Sequence, residues 1–198
     1  FVCSPLNDRV VMFDNDGATG GVQFWANRCT GYQSGRSAWA AGGGAQGGQL
    51  TSCADIYPSN MDSWMMIGPF DLTGATAATL SFSMWLNSEC SGTDCVNKAD
   101  RLWALASTDG SQFDGRWWAG DWKDDPGALA GGWWATTLDL ADYRGQPRVW
   151  IGFNFQSDGS VGYPGGAFVD DVRLTVEVPC DPVLSVRSLT VASPCYRP

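Results

Sequence analysis

Histidine is absent from this chain of 198 residues, and glutamate occurs only at Glu89 and Glu177. Without histidine, neither a Ser-His-Asp nor a Cys-His catalytic arrangement can form, and most zinc hydrolase sites are excluded as well. A glycosidase needs only two carboxylates, but neither glutamate lies in a recognisable motif. The sequence therefore predicts a protein that is not an enzyme, and a secreted glycoside hydrolase is the catalytic alternative.

Long apolar runs are also absent, because no stretch approaches the ~20 residues that a membrane-spanning helix needs. Positive charge is scarce: 12 lysines and arginines stand against 21 aspartates and glutamates, which gives a net charge of −9. Such a balance repels nucleic acids and anionic membranes. We therefore expect neither nucleic-acid binding nor membrane insertion.

Glycine is frequent, with 25 residues, whereas charged residues make up only 17% of the chain. Apolar and polar side chains alternate over short segments separated by Gly, Asp, Asn and Pro, a pattern typical of an all-β sandwich. We predict strands at 9–14, 34–44, 62–72, 78–87, 101–107, 115–122, 132–140, 147–157 and 165–178. Helical tendency amounts to one turn near residues 139–146. The sequence thus predicts one all-β domain over residues 1–178.

Residues 179–198 form a separate C-terminal extension. Pro179 and Pro182 break the preceding strand, and the segment after them favours β-structure, although its apolar alternation shifts phase between Val186 and Leu189. The extension could be a further strand of the same sheet or an arm that pairs with another molecule. In the second case the protein would self-associate by adding a strand to a neighbour's sheet.

Seven cysteines, none of them in a zinc-type Cys-x-x-Cys pair, indicate disulfides and an oxidising compartment. We expect an extracellular or cell-surface protein whose signal peptide has been removed. Cys90 and Cys95 would close a short loop, and Cys29 and Cys53 would hold the glycine-rich segment between them. The cysteines left over are Cys3, Cys180 and Cys195. The last two of these would close the extension, and the odd cysteine could bond to another chain.

The segment GGAFVDDVRLTVEV, residues 165–178, places a carboxylate on an apolar face. In a regular strand, Asp170 shares one face with Phe168, Val172 and Leu174. An unpaired carboxylate in a core is costly, so it needs a cation, a salt bridge or hydrogen bonds from loop N–H groups. The segment FDNDG, residues 13–17, could supply further oxygen ligands, although it also suits an ordinary turn.

Eleven tryptophans occur in the chain, two pairs of them adjacent. In a strand, the rings of Trp117–Trp118 and of Trp133–Trp134 must point to opposite faces, so each pair sends one ring outward. An exposed tryptophan beside loops rich in Asp and Gly can stack on a sugar ring or anchor a protein partner. The ligand-binding candidates are Trp134, Trp118 and Trp122, unless a loop or the extension covers them.

Five stretches stand in an order that resembles a known module: SGRSAWAAG, GPFDLTGATAATLSFSMW, ADRLWALASTDGSQF, GWWATTLDLADYRGQPRVWIGFNFQSDGS and GGAFVDDVRL. Over residues 9–176 the chain resembles the jelly-roll accessory domain of immune-inhibitor-A-type secreted metallopeptidases and of bacterial surface proteins. It is also similar to the MAM adhesion domain in strand order. The resemblance implies a jelly roll of two antiparallel sheets. Because the HExxH motif of the peptidase is missing, it implies a non-catalytic module.

The resemblance also implies a calcium ion between the first strand, the loop after it and the closing strand. Its ligands map to Asp170, with Asp171 beside it, and to Asp14 and Asp16 of the first strand region. A backbone carbonyl near residues 34–36 would complete the site.

Together these observations support a hypothesis about function. The protein is expected to be a secreted, calcium-stabilised β-sandwich that serves as a structural or adhesive subunit of a cell surface or filament and assembles through its terminal strands. A carbohydrate-binding module of a secreted enzyme or adhesin is the alternative.

Overall fold

The computed structural model describes residues 10–16, 21–30, 35–90, 100–122, 132–160 and 162–179. Within these ranges the strands are β1 (Val10–Asp14), β2 (Phe24–Thr30), β3 (Arg36–Gly43), β4 (Asp62–Phe70), β5 (Ala77–Asn87), β6 (Arg101–Ser107), β7 (Asp114–Trp118), β8 (Asp121–Trp122), β9 (Trp134–Asp139), β10 (Val149–Gln156) and β11 (Gly166–Glu177). A short helix α1 (Gly44–Gly47) follows β3, and a 3₁₀ turn occupies Ala141–Tyr143.

The strands form two sheets that pack face to face. Sheet A has the order β1-β4-β10-β6-β7, and sheet B has the order β2-β3-β11-β5, with β8 and β9 both pairing along β5. Every pairing among these strands is antiparallel. The two-sheet antiparallel sandwich predicted from the sequence is therefore confirmed.

The core lies between the sheets and is rich in aromatic side chains. Phe153 of sheet A meets Phe82 of sheet B edge to face, with ring centroids 5.0 Å apart. Trp25 and Trp118 pack against these two rings and are 0% and 3% exposed. Burial of these large apolar surfaces supplies the main stabilisation of the sandwich.

Most of the strand predictions agree with the structure, and β6 has the predicted bounds of 101–107. The strand β2 was not predicted, because its pairing with β3 is interrupted twice by irregular register, which breaks the alternation along the sequence. The helix α1 was not predicted either, since it lies in the glycine-rich segment, where helix propensity is low.

An irregularity in β11 changes where Asp170 lies. Asp170 pairs with Ser83 and Arg173 pairs with Ser81, so β11 has one more residue than β5 between these two pairs. Asp171, at the extra position, has a positive φ of 49°. Such a β-bulge shifts the alternation by one residue and therefore exchanges the two faces of the strand.

The bulge corrects the expectation that Asp170 belongs to the core face. Phe82 points into the core, so its neighbour Ser83 and the opposite residue Asp170 lie on the outer face of sheet B. After the bulge, Leu174 pairs with the buried Leu80 and faces the core. The carboxylate of Asp170 is half-buried and accepts a hydrogen bond from the backbone N–H of Asp171 at 2.9 Å.

One disulfide ties sheet B to the loop before β4. Cys29 and Cys53 are bonded, with Cα atoms 5.9 Å apart and a sequence separation of 24, which is a pairing expected from the sequence. Cys90 is also disulfide-bonded. The other cysteines, Cys3, Cys95, Cys180 and Cys195, lie outside the described residues, as does the extension after residue 179.

Among the described residues, the structure contains no helix with the length and apolar character that crossing a membrane requires.

Candidate functional site

The outer face of sheet A carries a row of aromatic side chains that crosses its strands. Residues directly opposite each other on paired strands share a face of the sheet. The register places five such residues in line, one from each strand: Phe13, Trp64, Asn154, Trp103 and Trp117. We call this line the aromatic row.

Two further rows flank the aromatic row. On one side lies the polar row, which consists of Asp62, Gln156 and Arg101. On the other side lies the apolar row, which consists of Val11, Met66, Gly152, Leu105 and Gly115. The ring of Phe113 lies over Gly152, where a Cβ atom would come within 3.2 Å of it. The face is therefore amphipathic, with an aromatic centre.

The rings of the aromatic row support one another. Phe13 and Trp64 are stacked, with ring centroids 6.0 Å apart and planes 2° apart. Trp103 and Trp117 are 6.2 Å apart, and the guanidinium of Arg101 lies 4.7 Å from the centre of the Trp117 ring. Trp117 is 36% exposed. The row thus ends at β7 in an accessible ring that a neighbouring ring and a cation hold in place.

Asp62 organises the polar side of this face. Its carboxylate accepts hydrogen bonds from Trp64 Nε1 at 2.8 Å, from Asn154 Nδ2 at 2.6 Å and from Asn15 Nδ2 at 2.9 Å. Asn154 is 2% exposed and also donates to the carbonyl oxygen of Ser63 at 3.1 Å. Because one carboxylate serves several donors, the orientations of these side chains are fixed before any ligand arrives.

A groove of about 450 Å³ opens beside the polar row. It is lined by Asp16, Asn60, Met61, Asp62, Arg101, Gln156, Ser157 and Asp158. Three carboxylates and one guanidinium therefore face this groove, together with amide and hydroxyl groups that can donate and accept hydrogen bonds.

A second group of carboxylates adjoins the groove. Oxygen atoms of Glu89, Asp100 and Asp158 all lie within 4.8 Å of one another, and we call these residues the acidic cluster. They come from the end of β5, the start of β6 and the loop after β10. Asp158 belongs both to the cluster and to the groove lining, so the two features are contiguous.

Asp100 is the buried centre of the acidic cluster, with 1% exposure. Its carboxylate accepts hydrogen bonds from the Tyr57 hydroxyl at 2.5 Å and from the backbone N–H of Asp158 at 2.8 Å. Burial, together with the charges of Asp158 and Glu89, raises the pKa of Asp100 to about 6 despite the hydrogen bonds from Tyr57 and Asp158, which lower it. Burial likewise raises the pKa of Tyr57.

The oxygen atoms of the acidic cluster could hold a metal ion. Calcium takes six to eight hard oxygen ligands, and carboxylates are the usual protein donors. Three carboxylates at this separation would repel one another when ionised, and a divalent cation would relieve that repulsion. The hydroxyl of Ser160, which lies within hydrogen-bonding distance of the carboxylates of both Glu89 and Asp158, offers a further oxygen.

The calcium ligands predicted from the sequence lie elsewhere. The carboxylate of Asp14 accepts from the backbone N–H groups of Asp16 at 3.1 Å and Gln23 at 2.9 Å, and burial raises the pKa of Asp14. Asp16 lines the groove of sheet A, whereas Asp170 and Asp171 belong to sheet B. Among the described residues, the group of three carboxylates within ligand distance includes none of these four.

The predicted tryptophan platform is only partly exposed. Trp118 is 3% exposed and packs edge to face on Phe82 in the core, so it cannot present its ring to a ligand. The outward ring of that adjacent pair is Trp117. Trp134 is 44% exposed and pairs with Met84 at the border of the sandwich. The side chain of Trp122 lies outside the described residues.

Sequence reasoning did not single out Trp64, Trp103 or Asn154, although a signal was present. In β6 the apolar face is Leu102 and its alternate neighbours, which leaves Trp103 on the opposite face of the strand. Trp103 and Leu105 put two large apolar side chains on that face, and contiguous apolar patches mark interaction sites. The acidic cluster had no such signal, because its members come from distant segments.

The fold resembles solved adhesin domains. The K1 cleaved adhesin domain of Lys-gingipain from Porphyromonas gingivalis W83 has 18% identity and a TM-score of 0.55, over 85% of this chain and 90% of that one. The K3 domain of the same protein has 17% identity and a TM-score of 0.53, over 84% and 90%. The K2 domain has 13% identity and a TM-score of 0.50, over 89% and 94%. At these identities the likeness concerns the β-sandwich fold.

No model of a protein family matches the chain, and no curated protein matches it.

Proposed function

We propose that this protein is a non-catalytic module of the cell surface or extracellular space that binds carbohydrate through the outer face of sheet A. The observation that carries this proposal is the aromatic row, which lies beside a polar row on the outer face of sheet A and has the accessible ring of Trp117 at its end. This face is called the ligand face below.

The chemistry of the ligand face matches that of a sugar. A sugar ring has an apolar C–H surface that packs on aromatic rings and a rim of hydroxyl groups that needs hydrogen-bond partners. The accessible ring of Trp117 offers a surface on which the C–H groups can pack. Gln156 and Arg101 beside it offer hydrogen-bond partners for the hydroxyl groups. A rigid aromatic anchor beside a few oriented polar groups is typical of binding hot spots.

The similar structures agree with this proposal at the level of fold. All three are adhesin domains. The resemblance to accessory domains of immune-inhibitor-A-type peptidases and bacterial surface proteins also favours a secreted, non-catalytic module. Location outside the cell agrees with the disulfide between Cys29 and Cys53.

Calcium stabilisation is part of the proposal, with Glu89, Asp100 and Asp158 as the residues that would hold the ion. A bound calcium would neutralise the cluster and join three segments that are distant in sequence. Because Asp158 also lines the groove, these carboxylates would fix the loop after β10 at the border of the ligand face.

A glycoside hydrolase is disfavoured by the surroundings of the acidic cluster. Its carboxylates are close enough together to suggest an acid and a nucleophile, and the pKa of Asp100 is raised to about 6. Both oxygens of Asp100, however, accept hydrogen bonds from Tyr57 and Asp158, and the side chain is 1% exposed. A general acid must reach the glycosidic oxygen of a substrate, and Asp100 has no surface with which to do so.

Self-association through residues 179–198 stays a prediction from the sequence. Strands β1 and β7 stand at the two ends of the described order of sheet A, and each has an edge with which an added strand could pair, as does β2 in sheet B. Analytical ultracentrifugation of the full chain and of a variant ending at residue 178 tests this role. Oligomers of the full chain that disappear on truncation support it, and a monomer in both cases refutes it.

The carbohydrate proposal is tested with immobilised polysaccharides and a matched pair of variants. Trp117→Ala removes the accessible ring of the ligand face, whereas Trp134→Ala removes a somewhat more exposed ring outside it. We expect the first variant to lose binding and the second to bind as the unmodified protein does. Equal binding by both variants, or no polysaccharide bound by the unmodified protein, would refute the proposal.

A further inference from the structure

On the basis of the proposed function, we infer that the ligand is the interior of an uncharged, linear polysaccharide that lies across the strands of sheet A along the aromatic row.

The length of the aromatic row exceeds what a single sugar can cover. The row takes one residue from each of five neighbouring strands. Neighbouring strands are ~4.8 Å apart, so the row is roughly 19 Å long. Its rings stand in two pairs, Phe13 with Trp64 and Trp103 with Trp117, and Asn154 separates the pairs. A ligand that contacts both pairs has to be an extended chain.

Both ends of the row are open among the described strands. The row begins on β1 and finishes on β7, which are the first and last strands in the order of sheet A. Trp117 at one end is 36% exposed, and Val11, beside Phe13 at the other, is 47% exposed. A polysaccharide can therefore continue past both edges. The face is suited to an interior stretch of the chain and not to a terminal sugar.

The polar row and the apolar row differ, and this difference orients the polysaccharide about its long axis. The polar row presents Gln156 and Arg101, whereas the apolar row presents Val11 and Met66 on the opposite side. An extended sugar chain with its hydroxyl groups concentrated along one edge would turn that edge toward the polar row. Its C–H surface would then rest on the rings.

Charge excludes acidic polysaccharides. Asp16, Asp62 and Asp158 line the groove beside the polar row, and Arg101 is the guanidinium that faces them. The whole chain carries a net charge of −9. A polymer of uronic acids or sulfated sugars would be repelled by the carboxylates of the groove and by the net negative charge of the whole protein. Hydroxyl groups of a neutral chain meet no such penalty.

The test is a titration series with defined sugars. Affinity is measured by calorimetry for β-1,4-linked oligomers of glucose, xylose and mannose, from disaccharide to hexasaccharide, with the full chain and its Trp117→Ala and Trp134→Ala variants. Polygalacturonate and alginate serve as acidic polymers in gel retardation. We expect affinity for one neutral series to rise at least about tenfold from disaccharide to hexasaccharide. Trp117→Ala should remove this gain, and the acidic polymers should not retard the protein.

The outcomes separate this inference from the proposed function. Equal affinity for disaccharide and hexasaccharide, or stronger retardation by an acidic polymer than by any neutral one, would overturn the inference while leaving carbohydrate binding in place. If affinity rises with oligomer length as much in Trp117→Ala as in the unmodified protein, the proposed position of the polysaccharide along the aromatic row is wrong. If no sugar or polymer binds, the inference and the proposed function are both overturned.

Discussion

The guanidinium of Arg101 lies 4.7 Å from the centre of the Trp117 ring. This contact joins the polar row to the exposed end of the aromatic row, because Arg101 belongs to β6 and Trp117 to the neighbouring β7. The ring that has most surface for a ligand is therefore held by a charge from its own sheet. Attraction between a cation and an aromatic face contributes about 0.5–1 kcal/mol at exposed sites.

We expect Arg101→Ala to weaken carbohydrate binding by roughly two- to fivefold, which corresponds to that contribution. The matched control is Arg116→Ala, since Arg116 lies 5.1 Å from the ring of Trp118, which is buried in the core. Calorimetric titration of both variants measures the effect. If Arg116→Ala weakens binding as much as Arg101→Ala, the role given to Arg101 is wrong.

Asp62 should matter for stability as well as for binding. The Asp62→Ala variant lacks the carboxylate that accepts hydrogen bonds from Trp64, Asn154 and Asn15. Leaving buried donors without a partner costs about 1–3 kcal/mol, so we expect a loss of that size in the free energy of unfolding. Urea denaturation measures it, with Asp142→Ala as a control at a carboxylate in the 3₁₀ turn. Equal losses in the two variants would contradict the organising role of Asp62.

Calcium should stabilise the protein through the acidic cluster. An ion bound only by the folded state adds about 2.7 kcal/mol when its free concentration is a hundred times its dissociation constant. We expect calcium to raise the melting temperature of the unmodified protein and to have little effect on Asp158→Asn. Differential scanning calorimetry with and without a chelator measures this effect.

The same experiment distinguishes the two positions considered for calcium. Asp170→Asn and Asp14→Asn change ligands that were predicted from the sequence but lie outside the acidic cluster. These variants should respond to calcium as the unmodified protein does. If they lose the response and Asp158→Asn retains it, the ion binds at the position predicted from the sequence.

In the presence of a chelator, stability should depend on pH through Asp100. The pKa of this carboxyl is raised to about 6 by burial, from an ordinary value of 3.8. Between these values the folded chain retains a proton that the unfolded chain has released. The free energy of unfolding contributed by Asp100 is therefore highest below about pH 4 and falls as the pH rises to about 6.

Urea denaturation across this pH range, for the unmodified protein and for Asp100→Asn, isolates the contribution. The free energy of unfolding of the unmodified protein, relative to that of Asp100→Asn, should fall as the pH rises from about 4 to about 6. A difference that is constant over the range would show that Asp100 titrates normally. Asp109→Asn is a useful comparison, because backbone hydrogen bonds lower the pKa of Asp109 and its contribution should be lost on acidification.

Removal of the disulfide between Cys29 and Cys53 should destabilise the fold. The bond closes a loop with a sequence separation of 24, for which the restriction of the unfolded chain contributes about 3 kcal/mol. We expect the double variant Cys29→Ala/Cys53→Ala to lose an amount near this value in urea denaturation. Carbohydrate binding should persist, because neither cysteine lies on the ligand face. A loss below about 1 kcal/mol would show that the loop is constrained by other contacts.

The sequence by itself determined the class of fold. Alternating apolar residues in short segments, with Gly, Asp and Pro between them, are a local property, and a strand such as β6 can be read directly from it. Composition also determined what was excluded, since a chain without histidine cannot use histidine-dependent catalysis.

Only the tertiary structure decided which residues meet. The bulge at Asp171 reverses the faces of β11, but Phe168 and Leu174 stand at alternate positions of the sequence as they would in a regular strand, so the sequence hides the reversal. The aromatic row depends on the register of five strands, and the acidic cluster depends on loops that join Glu89 to Asp158. Register and loop proximity arise from packing between distant segments, so local pattern determined the strands while packing decided the site.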